Sequence, residues 1–281
     1  MEPRYRLPEQ DELEPQPRLE PEPFRDYEPI HPEPGWRKTL RRIWAPVAAA
    51  GAALVKFSPV IFKAKFFFSI FISFGVYLWI GGPWFAVGLI VLLFVHEMGH
   101  VIEAKRQGLP VSAPMFIPLL GAAITLKQNP RDAWHEARLA LAGPILGSLG
   151  AAAIYALGVA EDSNRLKAIA FLGFFINLFN LLPVVPLDGG RAVAALHPAL
   201  WLVGLLGLGA LVVLRPNPIL ILILVFAAME LWRRWQMRGH PDARSYYRVL
   251  PWQRAAVAVM YFGLAALLVL GMHETHVPRS F

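Results

Sequence analysis

The stretch Trp84-Phe-Ala-Val-Gly-Leu-Ile-Val-Leu-Leu-Phe-Val-His96-Glu97-Met98-Gly99-His100 runs an apolar segment directly into three ionisable side chains within five positions. At the centre of a membrane helix each such side chain costs about 2.5–3.5 kcal/mol on insertion scales. The pattern therefore predicts a spanning helix that carries a site. Residues four apart share one helix face, so His96 and His100 can offer ring nitrogens to a single metal ion. Glu97 sits beside that face, within reach of a water held there. Two buried histidines satisfied by hydrogen bonds, next to a protonated Glu97, would give no return for three costly residues.

Working outward, the whole chain supports a membrane reading. Of 281 residues, 56% are hydrophobic and 17% charged, against roughly 25% charged in soluble domains. There is no cysteine, so disulfides are excluded and any zinc site must use histidine and carboxylate ligands. The opening Met1-Glu-Pro-Arg-Tyr-Arg lacks the apolar core of a signal peptide, which leaves insertion to the first true span.

Residues 1–35 repeat Glu-Pro pairs (Glu14-Pro15, Glu20-Pro21, Glu22-Pro23, Glu28-Pro29, Glu33-Pro34). Such a segment buries too little apolar surface to order itself and is expected to be a disordered cytoplasmic tail. Residues 36–65 mix apolar residues with Arg37, Lys38, Arg41, Arg42, Lys56, Lys63 and Lys65. They read either as an interfacial segment on anionic lipid or as a basic flank to the first span. A catalytic membrane core is expected over 66–195, followed by C-terminal transmembrane helices over 196–281.

Apolar runs of spanning character fall at about 66–80, 84–104, 134–158, 166–187, 198–214, 218–232 and 252–272. Gly81-Gly82-Pro83 turns the chain between the first two, and the first and sixth are short. The expected fold is thus an all-α polytopic membrane protein of six to seven transmembrane helices. With a cytoplasmic N-terminus, only Arg165, Lys167, Arg215 and Arg279 of the 27 Lys and Arg face outward. That asymmetry satisfies the positive-inside rule and explains the net charge of +7 without a nucleic-acid partner. Between the second and third spans, Pro110, Pro114 and Pro118 forbid a helix. Met115-Phe-Ile-Pro-Leu-Leu-Gly-Ala-Ala-Ile-Thr-Leu126 is nevertheless too apolar for an aqueous loop, so 106–133 is read as a short re-entrant, β-hairpin-like segment.

Two histidines need a third protein ligand, with a fourth position left to water. Glu103 lies on the face of His96 and His100, but three ligands from one straight helix converge poorly. Asp188 is preferred. It closes Asn180-Leu-Leu-Pro-Val-Val-Pro-Leu-Asp-Gly-Gly190, where Pro183 and Pro186 break the fourth span. On the charge-derived topology both motifs reach the cytoplasmic side. Asn177 reads equally as an interhelical hydrogen-bonding residue and as part of the site. Asn180, nearer Asp188, suits a donor to a carbonyl or oxyanion. Ala142-Gly143-Pro144 reads as a small-residue kink allowing close packing. His135, His197, His273 and His276 read as solvated or interfacial, and Glu230 as a partner of Arg233 or Arg234.

Taken together, His96-Glu-Met-Gly-His100, Ala142-Gly-Pro144 and Asn180-Leu-Leu-Pro-Val-Val-Pro-Leu-Asp-Gly-Gly190 resemble the three motifs of the site-2 protease family of intramembrane zinc metalloproteases, over roughly 66–195. The resemblance implies one zinc ion bound by His96, His100 and Asp188, Glu97 as the catalytic base, and Asn180 assisting at the reaction centre. It further implies a transmembrane protein substrate in the lipid bilayer of a cell membrane, while the charge-derived topology places the site near the cytoplasmic side. The segment 111–126 is similar to the strand region thought in that family to pair with an unwound substrate. The segment 106–133 is too short for the PDZ domain that many members carry. Two rivals remain: a transporter or metal-permeation protein using the same His/Asp cluster, which gives Glu97 no distinct task, and a membrane scaffold with a dead site, which the intact motifs oppose.

Overall fold

The structure is a computed structural model that describes residues 35–119, 121–237 and 245–276, with side chains between 35 and 64 described only for Arg42, Trp44 and Ala45. The expected disordered tail, but for Gly35, lies outside the described residues. The chain forms two compact units, Met1–Ser58 and Pro59–Phe281. In the first, the described residues are helical. The second carries the site.

Helix α1 (Gly35–Arg106) is interrupted at Gly82, whose φ of 78° and ψ of −179° are non-helical. Pro83 cannot donate to the helical ladder and its ring clashes with the preceding turn. Gly82 absorbs the break in a region that side chains avoid. Phe66, Ile70 and Tyr77 then share one apolar cluster with Phe85, Leu89 and Leu93. Along a straight helix Phe66 and Leu93 would stand about 40 Å apart. The arms on either side of Gly82 therefore fold back on each other, as the Gly-Gly-Pro turn predicts.

After α1 the chain forms an antiparallel hairpin, β1 (Met115–Ile117) and β2 (Gly121–Ala123), pairing Met115 with Ala123 and Ile117 with Gly121. A bridge between Val111 and Leu126 extends the pairing toward its base. Phe116 points inward, 2% exposed, and its amide donates to Ser69 Oγ at 3.1 Å, which ties the hairpin to the first arm of α1.

Helix α2 (Ala133–Ala160) starts at Asp132, whose carboxylate accepts from the His135 amide at 2.9 Å and the His135 ring at 2.7 Å. Burial pushes the Asp132 carboxyl up, but these two donors outweigh it and hold the group below its ordinary range. Helix α3 (Asn164–Asn180) ends well before the expected boundary at 187. Pro183 supplies no donor and forces the residue before it out of helical geometry, so the helix stops short of it. A turn follows, and Asp188 opens a short helix α4 (Asp188–Val193) instead of closing the previous one. Helices α5 (Leu200–Leu214), α6 (Pro218–Met237) and α7 (Pro251–Glu274) complete the described chain.

The described residues are mostly helical, with one small sheet among them. Among the described residues, three helices are long and apolar enough to cross a membrane: Lys65–Arg106, Ala133–Ala160 and Pro251–Glu274, with Leu200–Leu214 a shorter apolar helix. The core mixes small residues, including Ala133, Ala137, Ala140, Ala170 and Ala192, with larger ones such as Leu92, Phe174 and Trp201. Large side chains such as Phe71, Leu206, Val213 and Leu267 face outward. Large apolar side chains on the outer surface, with alanines among the buried contacts, suit helices that meet lipid outside and each other inside.

Candidate metal centre

The second arm of α1 presents His96 and His100 on one face, both 4% exposed. The α4 turn brings Asp188 to the same point. Asp188 Oδ2 lies 3.1 Å from His96 Nε2 and 3.1 Å from His100 Nε2, and the two Nε2 atoms are 3.2 Å apart. These three side chains are the one group of His and carboxylate donors, among the described residues, arranged to hold a metal ion.

The protonation state of the imidazoles follows from their other nitrogens. His96 Nδ1 is 2.8 Å from Asn177 Oδ1, and His100 Nδ1 is 2.8 Å from the Leu139 carbonyl. Asn177 Nδ2 donates to the Gly173 carbonyl at 2.8 Å, which fixes the amide with its oxygen toward His96. Both partners accept only, so both Nδ1 atoms carry protons and both Nε2 atoms present lone pairs. Two lone pairs and a carboxylate oxygen thus converge in a buried site. One proton can bridge only one of the three pairs. A zinc ion, bonding at about 2.0–2.1 Å, sets neighbouring tetrahedral ligands about 3.3–3.4 Å apart, close to the spacing seen. The donor set fits zinc, and each histidine has the outer partner that metal-binding imidazoles require.

Glu97 is 5% exposed and lies within electrostatic reach of His100, His96, Asp188 and Arg191. Asn180 is half-buried and lines an apolar cavity of about 510 Å³ beside Leu187, the neighbour of Asp188. Tyr77, Phe85, Leu93 and Phe179 form other walls of this cavity. His96, His100 and Asp188 therefore converge, Glu97 lies within electrostatic reach of them, and Asn180 stands apart at the wall of the cavity. Glu103, the rejected third ligand, is held instead by Arg138 at 2.7 Å and by Gln107 at 3.0 Å.

Close helix packing makes the geometry feasible. A Cβ on Gly143 would run into the His100 ring, and one on Gly147 into the Asn177 amide. The small-residue motif Ala142-Gly143-Pro144 is thus where α2 admits His100. Of the two supporting groups, the sequence missed one and left the other open. The Leu139 carbonyl has no side-chain signal at all. Asn177 had one, an amide within an expected span, and both of its readings meet in one interhelical bond to a candidate ligand.

Among the described residues, His135, His197 and His276 stand apart from this cluster. His135 donates its amide to the α2 cap Asp132 at 2.9 Å, His197 Nδ1 accepts from the Ala199 amide at 3.1 Å, and His276 packs near Phe171. Glu230 pairs with both Arg233 and Arg234.

Residues 84–166 match Peptidase family M50. Over 125 residues the chain is 34% identical to Rip3 of Mycobacterium tuberculosis, whose name assigns it provisionally to the zinc metalloproteases; the match covers 42% of this chain and 32% of that protein. It is 30% identical over 117 residues to a zinc metalloprotease of Methanocaldococcus jannaschii, covering 38% of this chain and 34% of the other. A solved structure, the site-2 protease from Methanocaldococcus jannaschii, is similar with a TM-score of 0.41 and 21% identity, over 66% of this chain and 89% of that one. The chain thus spans about a third of the length of the curated relatives it matches.

Proposed function

From the match of residues 84–166 to Peptidase family M50, we propose that the chain is an intramembrane zinc metalloprotease hydrolysing peptide bonds within or near transmembrane segments of membrane proteins. One observation carries this reading: His96 Nε2 and His100 Nε2, 3.2 Å apart, each meet Asp188 Oδ2 at 3.1 Å with both Nδ1 protons committed elsewhere. His96, His100 and Asp188 would hold the ion. When bound, zinc supplies Lewis-acid activation of water and of the peptide carbonyl.

The chain's own residues do the rest. Glu97 takes a proton from the attacking water and returns it to the departing amine, a transfer worth about 10²–10⁴ in rate. Asn180 donates from its amide to the carbonyl oxygen as negative charge builds there. The apolar cavity beside Asn180 and Leu187 receives the side chains of a lipid-dwelling substrate. A transmembrane helix hides its carbonyls in internal hydrogen bonds, so it must unwind locally. The hairpin of β1 and β2 offers strand pairing in exchange. Substrate spans with helix-weakening residues are therefore preferred.

The membrane frame follows from the sequence. The Gly82 break divides Lys65–Arg106 into two arms, and with α2, α3, α5, α6 and α7 this supports six to seven spans. Outward-facing Arg165, Lys167, Arg215 and Arg279 support a cytoplasmic N-terminus and a site near the cytoplasmic face. Purified wild type and Glu97→Gln, assayed for bound zinc and for cleavage of a model transmembrane substrate, test the assignment. The expected result is zinc retained and cleavage reduced at least about 100-fold. Undiminished cleavage by Glu97→Gln overturns the role of Glu97 as base.

A further inference from the structure

The turn that carries Asp188 is not fixed by its own helix. Helix α4 has six residues, and its N-cap Leu187 makes no side-chain cap. Gly189 and Gly190 bring no side chains to pack. Their backbone rests closely on the Leu181–Val185 turn, where an added Cβ would meet the Leu181 carbonyl or the Val184–Val185 peptide. That contact limits movement in one direction only.

Movement in the other direction is restrained by elements remote in sequence. Trp201 Nε1, from α5, donates to the Gly190 carbonyl at 2.6 Å. Arg191 Nε donates to Glu136 Oε1 of α2 at 3.3 Å, and Tyr246 Oη donates to Glu136 Oε2 at 2.7 Å. Burial, reinforced by the Glu136 carboxylate, pushes the Tyr246 hydroxyl up from its ordinary value, so it remains a donor. Trp201 is itself braced. The Arg234 guanidinium lies 4.8 Å over its ring, and Tyr247 packs edge-on at 6.1 Å. Arg234 is held in turn by Glu230 at 2.8 Å and by the Tyr247 hydroxyl at 3.2 Å.

We propose that Trp201, Glu136 and Tyr246 are positioning residues that clamp the Gly190-Arg191 turn, so that the affinity of the site for its metal depends on α5 and on the segment preceding α7. The clamp grips one and two peptide units beyond Gly189, adjacent to Asp188. A carboxylate that must stand about 2.0–2.2 Å from an ion tolerates little drift of its backbone. None of these side chains touches the ion, and their effect passes through the α4 backbone. The inference rests on the metal centre proposed above.

The test uses the full chain in detergent. Zn²⁺ affinity is measured by competition with a chromophoric chelator, and Co²⁺ is added as a spectroscopic probe of ligand geometry. Tyr246→Phe removes one hydroxyl and leaves Glu136 Oε2 without its donor. Trp201→Phe removes the donor to Gly190 and keeps an aromatic ring. The expected result for each is zinc binding weakened by about 10–100-fold, as for other outer-sphere partners of metal ligands. The Co²⁺ absorption bands shift, while helical content and the thermal midpoint of the metal-free protein stay at wild-type values. Wild-type affinity and spectrum in both variants overturn the clamp. So does loss of the metal-free fold in both, which marks these residues as plain structural supports. Asp188→Ala separates the two levels: if it binds zinc as tightly as wild type, or if wild type binds none, the metal centre itself has failed and the clamp falls with it.

Discussion

At the scale of single residues, the site depends on where protons sit. Asn177 accepts from His96 Nδ1 and, through its amide nitrogen, is locked to the Gly173 carbonyl. Its replacement by alanine leaves a buried N–H without a partner, a loss of about 1–3 kcal/mol, and frees the ring to present the wrong nitrogen. Asn177→Ala is therefore expected to unfold at lower denaturant and to bind zinc about 10–100-fold more weakly; unchanged zinc affinity would show that the His96 tautomer is set elsewhere. The pentad of His96, Glu97 and His100 was legible because helical spacing puts four-apart residues on one face. Asp188 was legible because prolines and glycines frame it. Asn177 was only half legible, since its partner is 81 residues away. The Leu139 carbonyl was not legible, since any residue carries one. Glu103 shows the limit of spacing arguments: seven residues past His96 it has the right face, yet Arg138 holds it at 2.7 Å.

At the scale of elements, proline and glycine punctuation decided most boundaries. Gly81-Gly82-Pro83 broke α1 where expected, and Pro110, Pro114 and Pro118 kept the following segment out of a helix. The end of α3 was misplaced because apolar character continues to Leu187 while hydrogen-bonding capacity stops near Pro183. Hydropathy reports the solvent, not the backbone ladder. The break in α1 gives a direct test. Gly82 has a positive φ but open space around it, whereas Gly263 in α7 has open space and ordinary helical backbone. Gly82→Ala should destabilise by about 1–3 kcal/mol through backbone strain alone. Gly263→Ala should be neutral or slightly stabilising, since alanine favours helix over glycine. Thermal unfolding of the two variants in one detergent compares them, and equal midpoints would remove strain at Gly82 from the account.

At the scale of the whole molecule, the site is assembled from chain segments that only the tertiary fold brings together. His96 and His100 come from α1, their outer partners from α2 and α3, and Asp188 from α4. The sequence could state which residue types were needed, because motif spacing is a local property. It could not state how α5, α6 and the residues before α7 bear on the site, since Trp201, Arg234 and Tyr246 look in isolation like interfacial belt residues. A bound ion would join α1 to α4 and so should stabilise the assembled state over the loosened one. The most direct measurement is zinc K-edge X-ray absorption on the purified chain, with Asp188→Asn beside it. The account predicts one zinc per wild-type chain, with two imidazole nitrogens and a carboxylate oxygen at about 2.0–2.2 Å, and depleted or rearranged zinc in the variant. A wild-type spectrum without paired imidazoles, or one identical in Asp188→Asn, would contradict it.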